Sequence, residues 1–360
     1  MHLYLHIPFC HRICPYCSFY KHTPGGTDQG AFVEALLTEA DFAQSETPQQ
    51  PQTLYLGGGT PSMLSPTHLR RLFTGLRERF SFADLKEVTF EANPATFTAR
   101  TAALYEELGI TRVSLGIQSF HPQHLKTLGR EHSVSQALSS ARVLQERNGL
   151  EVNIDLIFSV PGQTLSDWSD TLDQALDLRP QHLSAYNLTY EEDTAFFDSF
   201  QKGSYQEDDD TNAEMFLLAD QKLTAAGYLH YETSNYSLPG QQSRHNRGYW
   251  VGNDYLGLGP SAVSTIARTR WRNVPDTARY LTQIAAVGHA RTEIELLDDE
   301  AFALERLALM LRTTEGVPLK YLNPDANLAP FAELLEKNGT HLRTTPQGAL
   351  LVDSLAEALA

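Results

Sequence analysis

All three cysteines of the 360-residue chain lie close together near its start, at Cys10, Cys14 and Cys17. An odd, clustered set argues against a disulfide framework. Three thiols at this spacing can converge from one short loop, which is how metal ions and iron-sulfur clusters are held. The residues alone leave three interpretations open: a four-iron cluster whose fourth iron lacks a protein thiolate, a structural zinc completed by His6 or His11, or three unrelated buried cysteines.

Further polar residues and glycines stand where predicted strands end. The segment Gly57-Gly58-Gly59-Thr60 follows the second predicted strand and lacks the Lys-Ser/Thr pair of a phosphate loop. Glu91 ends the third predicted strand, Gln118 ends the fourth, and Asp155 lies in the fifth. Parallel strands bring all these ends to one rim, where barrel enzymes place their sites. We therefore expect a ligand at this rim.

A second group of residues, His245-Asn246-x2-Tyr249-Trp250, lies in a Gly-rich region later in the chain. An imidazole can offer an axial nitrogen to heme iron, and the two aromatic rings can supply flat apolar surface beside it. On the residues alone, a packed aromatic pair with a surface histidine is the favoured interpretation. No cysteine is available for a Cys-x-x-Cys-His attachment, so a covalent heme link would need other chemistry.

Strand and helix patterns alternate through the first half of the chain and predict an α/β fold. The predicted strands cover residues 3–7, 53–56, 87–91, 112–117, 152–158 and 183–188, and the predicted helices cover residues 32–43, 68–80, 101–108, 135–147 and 168–178. Such alternation implies a parallel sheet with right-handed crossovers, and six units suit a partial (β/α)6 TIM-like barrel. A doubly wound open sheet is the alternative.

The alternation stops after the sixth unit, and the remaining residues predict a smaller C-terminal α+β domain of winged-helix-like form. We expect a helix over residues 302–311, a second helix over 331–337 closed by Gly339, and a hairpin turning at Pro346-Gln347-Gly348. The predicted regions are a barrel at 1–230, an extension carrying the His-Asn-x2-Tyr-Trp residues at 231–297, and the small domain at 298–360.

The charge balance limits the partners of the protein. With 28 basic and 44 acidic side chains the formal charge is −16, which repels a phosphate backbone and makes nucleic acid an unexpected partner. No apolar run approaches the roughly 18 residues of a membrane helix. We expect a cytoplasmic protein with no transmembrane segment.

The segment Tyr4-Leu5-His6-Ile7-Pro8-Phe9-Cys10 through Cys17 resembles the start of radical S-adenosylmethionine (SAM) proteins of the oxygen-independent coproporphyrinogen III oxidase group. Within that group the chain most resembles the HemW family of heme chaperones, over about residues 1–265. The resemblance implies a radical SAM barrel in which the three cysteines bind three irons of a [4Fe-4S] cluster. It also implies that SAM chelates the fourth iron through its amine and carboxylate.

The same resemblance implies roles for individual residues. Arg130 is expected to offset carboxylate charge, and the carboxylates are expected to receive the hydroxyls or the amine of SAM. The expected contacts to SAM come from Tyr4, Tyr16, Gly58, Gly59, Thr60, Glu91, Gln118, Arg130 and Asp155, and the expected contacts to heme come from His245, Asn246, Tyr249 and Trp250.

Two functions compete within this group. The first is a chaperone that binds heme and passes it to apo-hemoproteins, with peripheral contact to membrane hemoproteins left open. The second is a coproporphyrinogen III dehydrogenase, a radical SAM oxidoreductase that decarboxylates porphyrinogen propionates. The oxidases carry a further cysteine two positions after the third, and Phe19 stands at that position here. This departure favours the chaperone.

Overall fold

A computed structural model describes residues 1–46, 48–323 and 327–360 of the chain. Six strands of the barrel follow one another with helices between them. The strands are β1 (His2–Ile7), β2 (Thr53–Gly58), β3 (Glu87–Ala92), β4 (Arg112–Gln118), β5 (Glu151–Phe158) and β6 (His182–Asn187). The helices are α1 (Gln29–Glu46), α2 (Pro66–Arg79), α3 (Ala99–Glu107), α4 (Pro122–Thr127), α5 (Val134–Gln145) and α6 (Leu165–Asp177). All six predicted strands and all five predicted helices are confirmed.

The second half of the chain adds an extension and a small C-terminal unit. The segment between β6 and the C-terminal unit comprises α7 (Ala195–Gln201), α8 (Asp209–Ala225), β7 (Leu229–Glu232), β8 (Asn235–Ser237), α9 (Arg244–Trp250), β9 (Tyr255–Leu258), β10 (Val263–Ile266), β11 (Thr269–Asn273), α10 (Thr277–Val287) and β12 (Arg291–Leu296). The C-terminal unit comprises α11 (Asp299–Met310), β13 (Val317–Pro318), β14 (Leu335–Asn338), β15 (His341–Thr344), α12 (Pro346–Ala349) and α13 (Val352–Leu359).

The main sheet runs in the order β12-β11-β10-β9-β1-β2-β3-β4-β5-β6-β8-β7. The strands from β9 through β6 are parallel, while β8 and β10 add antiparallel neighbours at the two flanks. The first six strands keep their chain order across the sheet, whereas a doubly wound sheet reverses its order at a switch point. The fold is therefore the partial barrel that the alternation predicted, and the doubly wound alternative is wrong.

The inner face of the barrel is polar because the strands alternate. In β1 the outward residues Leu3, Leu5 and Ile7 are buried beneath the helices, and His2, Tyr4 and His6 alternate with them on the other face. Side chains two residues apart share one face of a strand. Histidine, tyrosine and carboxylate side chains consequently project into the barrel from several strands.

The C-terminal unit has its own small core and a three-stranded sheet in the order β13-β15-β14. The predicted helix over 302–311 is confirmed by α11, but the predicted second helix is wrong because residues 335–338 form a strand. The hairpin turns at Gly339, whose φ is +60°, and a left-handed glycine serves a hairpin turn as well as a helix end. Pro346 instead begins α12, a position that proline favours.

The predicted C-terminal region includes residues 324–326, which lie outside the described ranges. Within the described ranges, no helix combines the length and apolar character needed to cross a membrane.

Candidate functional site

A cavity of about 480 Å³ opens at the carboxyl ends of β1 to β6. It brings together eleven of the residues predicted for the cluster and SAM, and Tyr4 is the exception. These residues are Cys10, Cys14, Tyr16, Cys17, Gly58, Gly59, Thr60, Glu91, Gln118, Arg130 and Asp155. The residues predicted at the carboxyl ends of the strands therefore line one continuous cavity.

The three cysteines lie in the loop between β1 and α1, as free thiols that are partly exposed to the cavity. Two neighbouring loops contact them: the Thr60 hydroxyl after β2 lies 3.6 Å from Cys10 Sγ, and Nη1 of Arg130 after α4 lies 3.6 Å from Cys14 Sγ. Burial raises the pKa of the Cys10 and Cys17 thiols. The Thr60 hydroxyl and the Arg130 guanidinium would each stabilise a thiolate once a metal ion has replaced the thiol proton.

The zinc interpretation meets two obstacles in the side chains that would complete it. Both ring nitrogens of His6 are engaged, Nδ1 with the Tyr4 hydroxyl at 3.0 Å and Nε2 with the Tyr20 carbonyl at 2.7 Å. His11 pairs with Glu131 at 2.7 Å. In the described part of the chain, no three His, Cys, Asp or Glu side chains converge on a single ion. A cluster suits this loop better, because each iron needs only one thiolate.

Two partly exposed carboxyl groups, those of Glu91 and Asp155, line the cavity. The Tyr55 hydroxyl donates to Glu91 Oε1 at 2.7 Å, and the Gly58 backbone N–H donates to Oε2 at 3.2 Å. Burial raises the pKa of Glu91 to about 7, with the nearby charge of Asp155 acting in the same direction. Burial likewise raises the pKa of Asp155, although the Ser114 hydroxyl donates to it at 2.7 Å.

Arg130 and Gln118 present polar atoms without partners. The Arg130 guanidinium donates to the Gly116 carbonyl at 2.7 Å and to the Asn93 side chain, but its Nε atom is buried without a hydrogen-bond partner among the described residues. Gln118 adopts a left-handed φ of +71°, and its buried Oε1 also lacks a partner in the same ranges. Buried polar groups left unpaired cost about 1–3 kcal/mol each, so their presence here favours a bound ligand.

The glycine turn has a structural role in addition to the contacts with SAM that were predicted for it. Gly58 has a φ of +101°, and a Cβ atom there would lie 2.5 Å from the His6 ring. A Cβ atom on Gly59 would lie 2.7 Å from the Pro8 carbonyl carbon. The Gly59 and Thr60 N–H groups donate to the Ile7 and Phe9 carbonyls, each at 2.8 Å. The glycines thus seat the cysteine loop against the end of β2, as well as lining the cavity.

Some site residues were not predicted, although the sequence carried a signal for each. Asn93 lies two positions after Glu91, donates to the Thr60 hydroxyl at 3.0 Å and accepts from Arg130. Tyr55 shares the inward face of β2 and lines the cavity beside Glu91. Tyr4 lies below them, with its ring 6.1 Å from that of Tyr55.

The His-Asn-x2-Tyr-Trp residues lie at the opposite, amino end of the barrel. Helix α9 carries all four of them, and Glu87 at the start of β3 accepts from the backbone N–H groups of Arg244 and His245 at 2.8 and 3.1 Å. A carboxylate at a helix N-terminus satisfies free N–H groups and complements the helix dipole. Glu87 therefore fixes α9 against the base of the barrel.

His245 is 1% exposed, and both of its ring nitrogens are engaged. Its Nδ1 lies 2.7 Å from the Thr53 hydroxyl, and its Nε2 lies 3.2 Å from the Tyr249 hydroxyl. Its ring packs on Tyr55 with centroids 4.9 Å apart. None of the four residues lines the cluster cavity, and their assignment to heme stays a prediction.

Comparisons with known proteins show which families and proteins the chain is similar to. The family model described as Radical SAM superfamily matches residues 4–175. The heme chaperone HemW of Mycobacterium tuberculosis (strain ATCC 25618 / H37Rv) is 36% identical over 99% of this chain and 94% of its own length. The heme chaperone HemW of Escherichia coli (strain K12) is 40% identical over 72% of this chain and 68% of its own length.

Among solved structures, the coproporphyrinogen III oxidase HemN from Escherichia coli, described as a radical SAM enzyme, matches with a TM-score of 0.84. The match covers 99% of this chain and 89% of that one at 24% identity. At this identity the likeness shows a shared fold and nothing finer.

Proposed function

The chain belongs to the HemW family of the radical SAM superfamily, and from this premise we propose that it is a heme chaperone that binds heme and transfers it to apo-hemoproteins. The observation that carries the proposal is the 36% identity to a heme chaperone HemW across 99% of this chain and 94% of the relative. The likeness therefore includes the extension and the C-terminal unit as well as the barrel.

The family implies a [4Fe-4S] cluster and SAM, and the cavity at the carboxyl ends fits both. Cys10, Cys14 and Cys17 would hold three irons, leaving the fourth to be chelated by the amine and carboxylate of SAM. The fit rests on the free thiols and on the unpartnered Nε of Arg130 and Oε1 of Gln118 among the described residues. A polar ligand in the cavity would satisfy these atoms.

The residues of this chain act on SAM through charge and hydrogen bonds. The Glu91 and Asp155 carboxyls are held by Tyr55 and Ser114, which leaves their positions fixed before a ligand arrives. Fixed carboxylates can accept from the amine or the ribose hydroxyls without a large loss of side-chain entropy. Arg130 lies beside Cys14 and offsets negative charge near the thiolates.

Beyond the shared fold, the dehydrogenase alternative has no supporting observation. The likeness to the oxidase is one of fold, and the position of its further cysteine holds Phe19, which is 66% exposed. We therefore keep the chaperone as the single proposed function. Its expected partners are heme and apo-hemoprotein acceptors.

A transfer experiment tests the proposal. Anaerobically reconstituted protein loaded with heme is mixed with apomyoglobin as a generic acceptor, and the Soret band is followed with and without SAM. We expect heme to appear in the acceptor. No heme binding by the protein would contradict the proposal, and so would decarboxylated product after incubation with coproporphyrinogen III, SAM and a reductant.

A further inference from the structure

A series of hydrogen bonds crosses the interior of the barrel, from the cavity at the carboxyl end to helix α9 at the amino end. Asn153 on β5 donates to Asp155 Oδ1 at 2.8 Å. At the start of β6, His182 lies 2.7 Å from Asn153 Oδ1 through Nδ1 and 2.7 Å from the Tyr231 hydroxyl through Nε2. The backbone N–H of Ser243, the N-cap of α9, donates to the Tyr231 oxygen at 3.2 Å. These five residues form the interior network.

The middle of the interior network is shielded from water. Asn153 is 6% exposed, His182 is 1% exposed and Tyr231 is 4% exposed. Within the described residues, neither His182 nor Tyr231 lines the cavity, so both lie away from any ligand that binds there. Hydrogen bonds in such a low-dielectric interior are stronger than in water and polarise one another.

The direction of each hydrogen bond in the interior network follows from its ends. A carboxylate only accepts, so the Asn153 amide NH2 faces Asp155 and the Asn153 Oδ1 faces His182. Burial lowers the pKa of His182 well below its usual range, so the ring is neutral and has one N–H donor. Nδ1 therefore donates to Asn153, and Nε2 accepts from the Tyr231 hydroxyl.

Because Tyr231 accepts in turn from the Ser243 N–H, every donor of the interior network points toward Asp155. A group that shifts at one position changes the polarisation and the placement of the next. The position of Asp155 in the cavity thus depends on where the first turn of α9 lies.

Helix α9 also supports the second carboxyl group of the cavity. The Tyr55 hydroxyl donates to Glu91 Oε1 at 2.7 Å, and the Tyr55 ring packs on the His245 ring of α9 with centroids 4.9 Å apart. Glu91 and Asp155 are the two carboxyl groups expected to receive SAM. Each of them is held by a group that contacts α9, through a separate set of residues.

We propose that the interior network couples the docking of α9 to the binding of SAM, with His182 and Tyr231 as positioning residues for Asp155. The proposal goes beyond the proposed function and rests on its SAM site. Coupling between two sites is reciprocal. If docked α9 holds Asp155 in the geometry that SAM needs, bound SAM must in turn hold α9 in its docked position.

Hydrogen exchange of the full-length, cluster-loaded wild-type protein tests the coupling without any substitution. Backbone amide exchange is measured by mass spectrometry with and without SAM, in peptides covering residues 243–251 of α9 and residues 99–107 of α3. Helix α3 packs against α5, away from the interior network, and reports the general stabilisation that any bound ligand gives. We expect SAM to slow exchange in α9 about fivefold more than in α3.

Tyr231→Phe removes one hydroxyl from the middle of the interior network. We expect this variant to bind SAM about fivefold more weakly in a calorimetric titration, at unchanged iron content, and to lose the extra protection of α9. Tyr228→Phe is the matched control, because it removes a buried hydroxyl that donates to the Pro180 carbonyl at 2.6 Å. The control should bind SAM as the wild type does, and circular dichroism should show equal folding of both variants.

The possible failures can be told apart. Wild-type protein that binds no SAM would overturn the SAM site of the proposed function and this coupling together. Wild-type protein that binds SAM, with equal effects on exchange in α9 and α3, would overturn the coupling alone. Extra protection of α9 that persists in Tyr231→Phe, or a loss of SAM affinity that is equal in Tyr228→Phe, would overturn the role of Tyr231.

Discussion

The two ends of the barrel both hold polar side chains, but the carboxyl end presents them to a cavity, whereas the amino end packs its histidines against hydrogen-bond partners. At the amino end, His182 uses both ring nitrogens, with Asn153 and Tyr231 each at 2.7 Å. His245 does the same with Thr53 and Tyr249. Helix α9 packs against this end.

The carboxyl end of the barrel is arranged differently. It contains a cavity, two carboxyl groups with raised pKa values, and unpaired atoms on Gln118 and Arg130 among the described residues. Paired buried groups specify and rigidify a fold, whereas unpaired ones cost stability unless a ligand satisfies them. Unpaired buried atoms also occur at the amino end, where Nε and Nη1 of Arg112 at the start of β4 lack hydrogen-bond partners among the described residues, so the cavity is what separates the two ends. We expect the carboxyl end to bind ligands and the paired histidines to maintain the barrel.

The largest effect should follow from removing one thiol at the carboxyl end. We expect Cys14→Ser to lose the visible absorption of the cluster, because the chain has no other cysteine that could replace it. Anaerobic wild-type protein should contain about four irons and four sulfides per chain. Iron and sulfide analysis checks both statements.

The matched control is Ile13→Ala in the same loop, where the side chain is 50% exposed. It should retain the cluster. Equal iron content in Cys14→Ser and the wild type would refute the assignment of the three thiolates and remove the main distinction between the two ends.

A substitution at the amino end should act on stability and leave the cluster in place. We expect His245→Ala to lower the free energy of unfolding by about 2–4 kcal/mol. The variant loses the packing on Tyr55 and the contacts of His245 with the Thr53 and Tyr249 hydroxyls, of which the Thr53 hydroxyl keeps its 2.8 Å contact with His2 Nδ1. Urea unfolding of the apoprotein measures the change.

His11→Ala provides the comparison, because its side chain is 73% exposed at the carboxyl end. It should change the unfolding free energy by less than about 0.5 kcal/mol. If His245→Ala changed the free energy of unfolding as little as His11→Ala, or if the variant lost the cluster, the amino end would not have the structural role assigned to it.

Removing the charge of Glu91 or Asp155 at the carboxyl end should weaken SAM binding without changing the iron content. Glu91→Gln and Asp155→Asn should each weaken SAM binding about tenfold, since a buried hydrogen bond to a charged group is worth about 1.5–3 kcal/mol. Calorimetric titration of cluster-loaded protein is the measurement. Glu192→Gln, at an exposed position, is the control. Unchanged affinity in both test variants would make the carboxylates structural.

The sequence predicted most of the carboxyl end because its signals are local. The cysteine spacing and the polar residues at successive strand ends are visible in short segments, and parallel strands bring those ends together. The docking of α9 was not predictable in this way. It depends on Glu87 meeting the backbone of His245, which is 158 positions away in the chain. The prediction that Gly339 closes a helix was wrong for another reason, since the same left-handed backbone conformation occurs at helix ends and in hairpin turns.

The smallest expected effect is the pH dependence of stability that Glu91 gives to the carboxyl end. Its pKa is about 7 in the folded protein against an ordinary 4.5, so the folded state holds a proton that the unfolded state has released. This contribution is fully present below the unfolded pKa and is lost as pH rises through about 7. Between about pH 6 and pH 8 the wild-type apoprotein should therefore lose about 1 kcal/mol that Glu91→Gln does not lose. Urea unfolding at both pH values, with Glu192→Gln as the control, measures the difference. Parallel pH profiles for wild type and Glu91→Gln would show that Glu91 is already ionised in the folded protein, and the contrast between the two ends would then rest on the cavity alone.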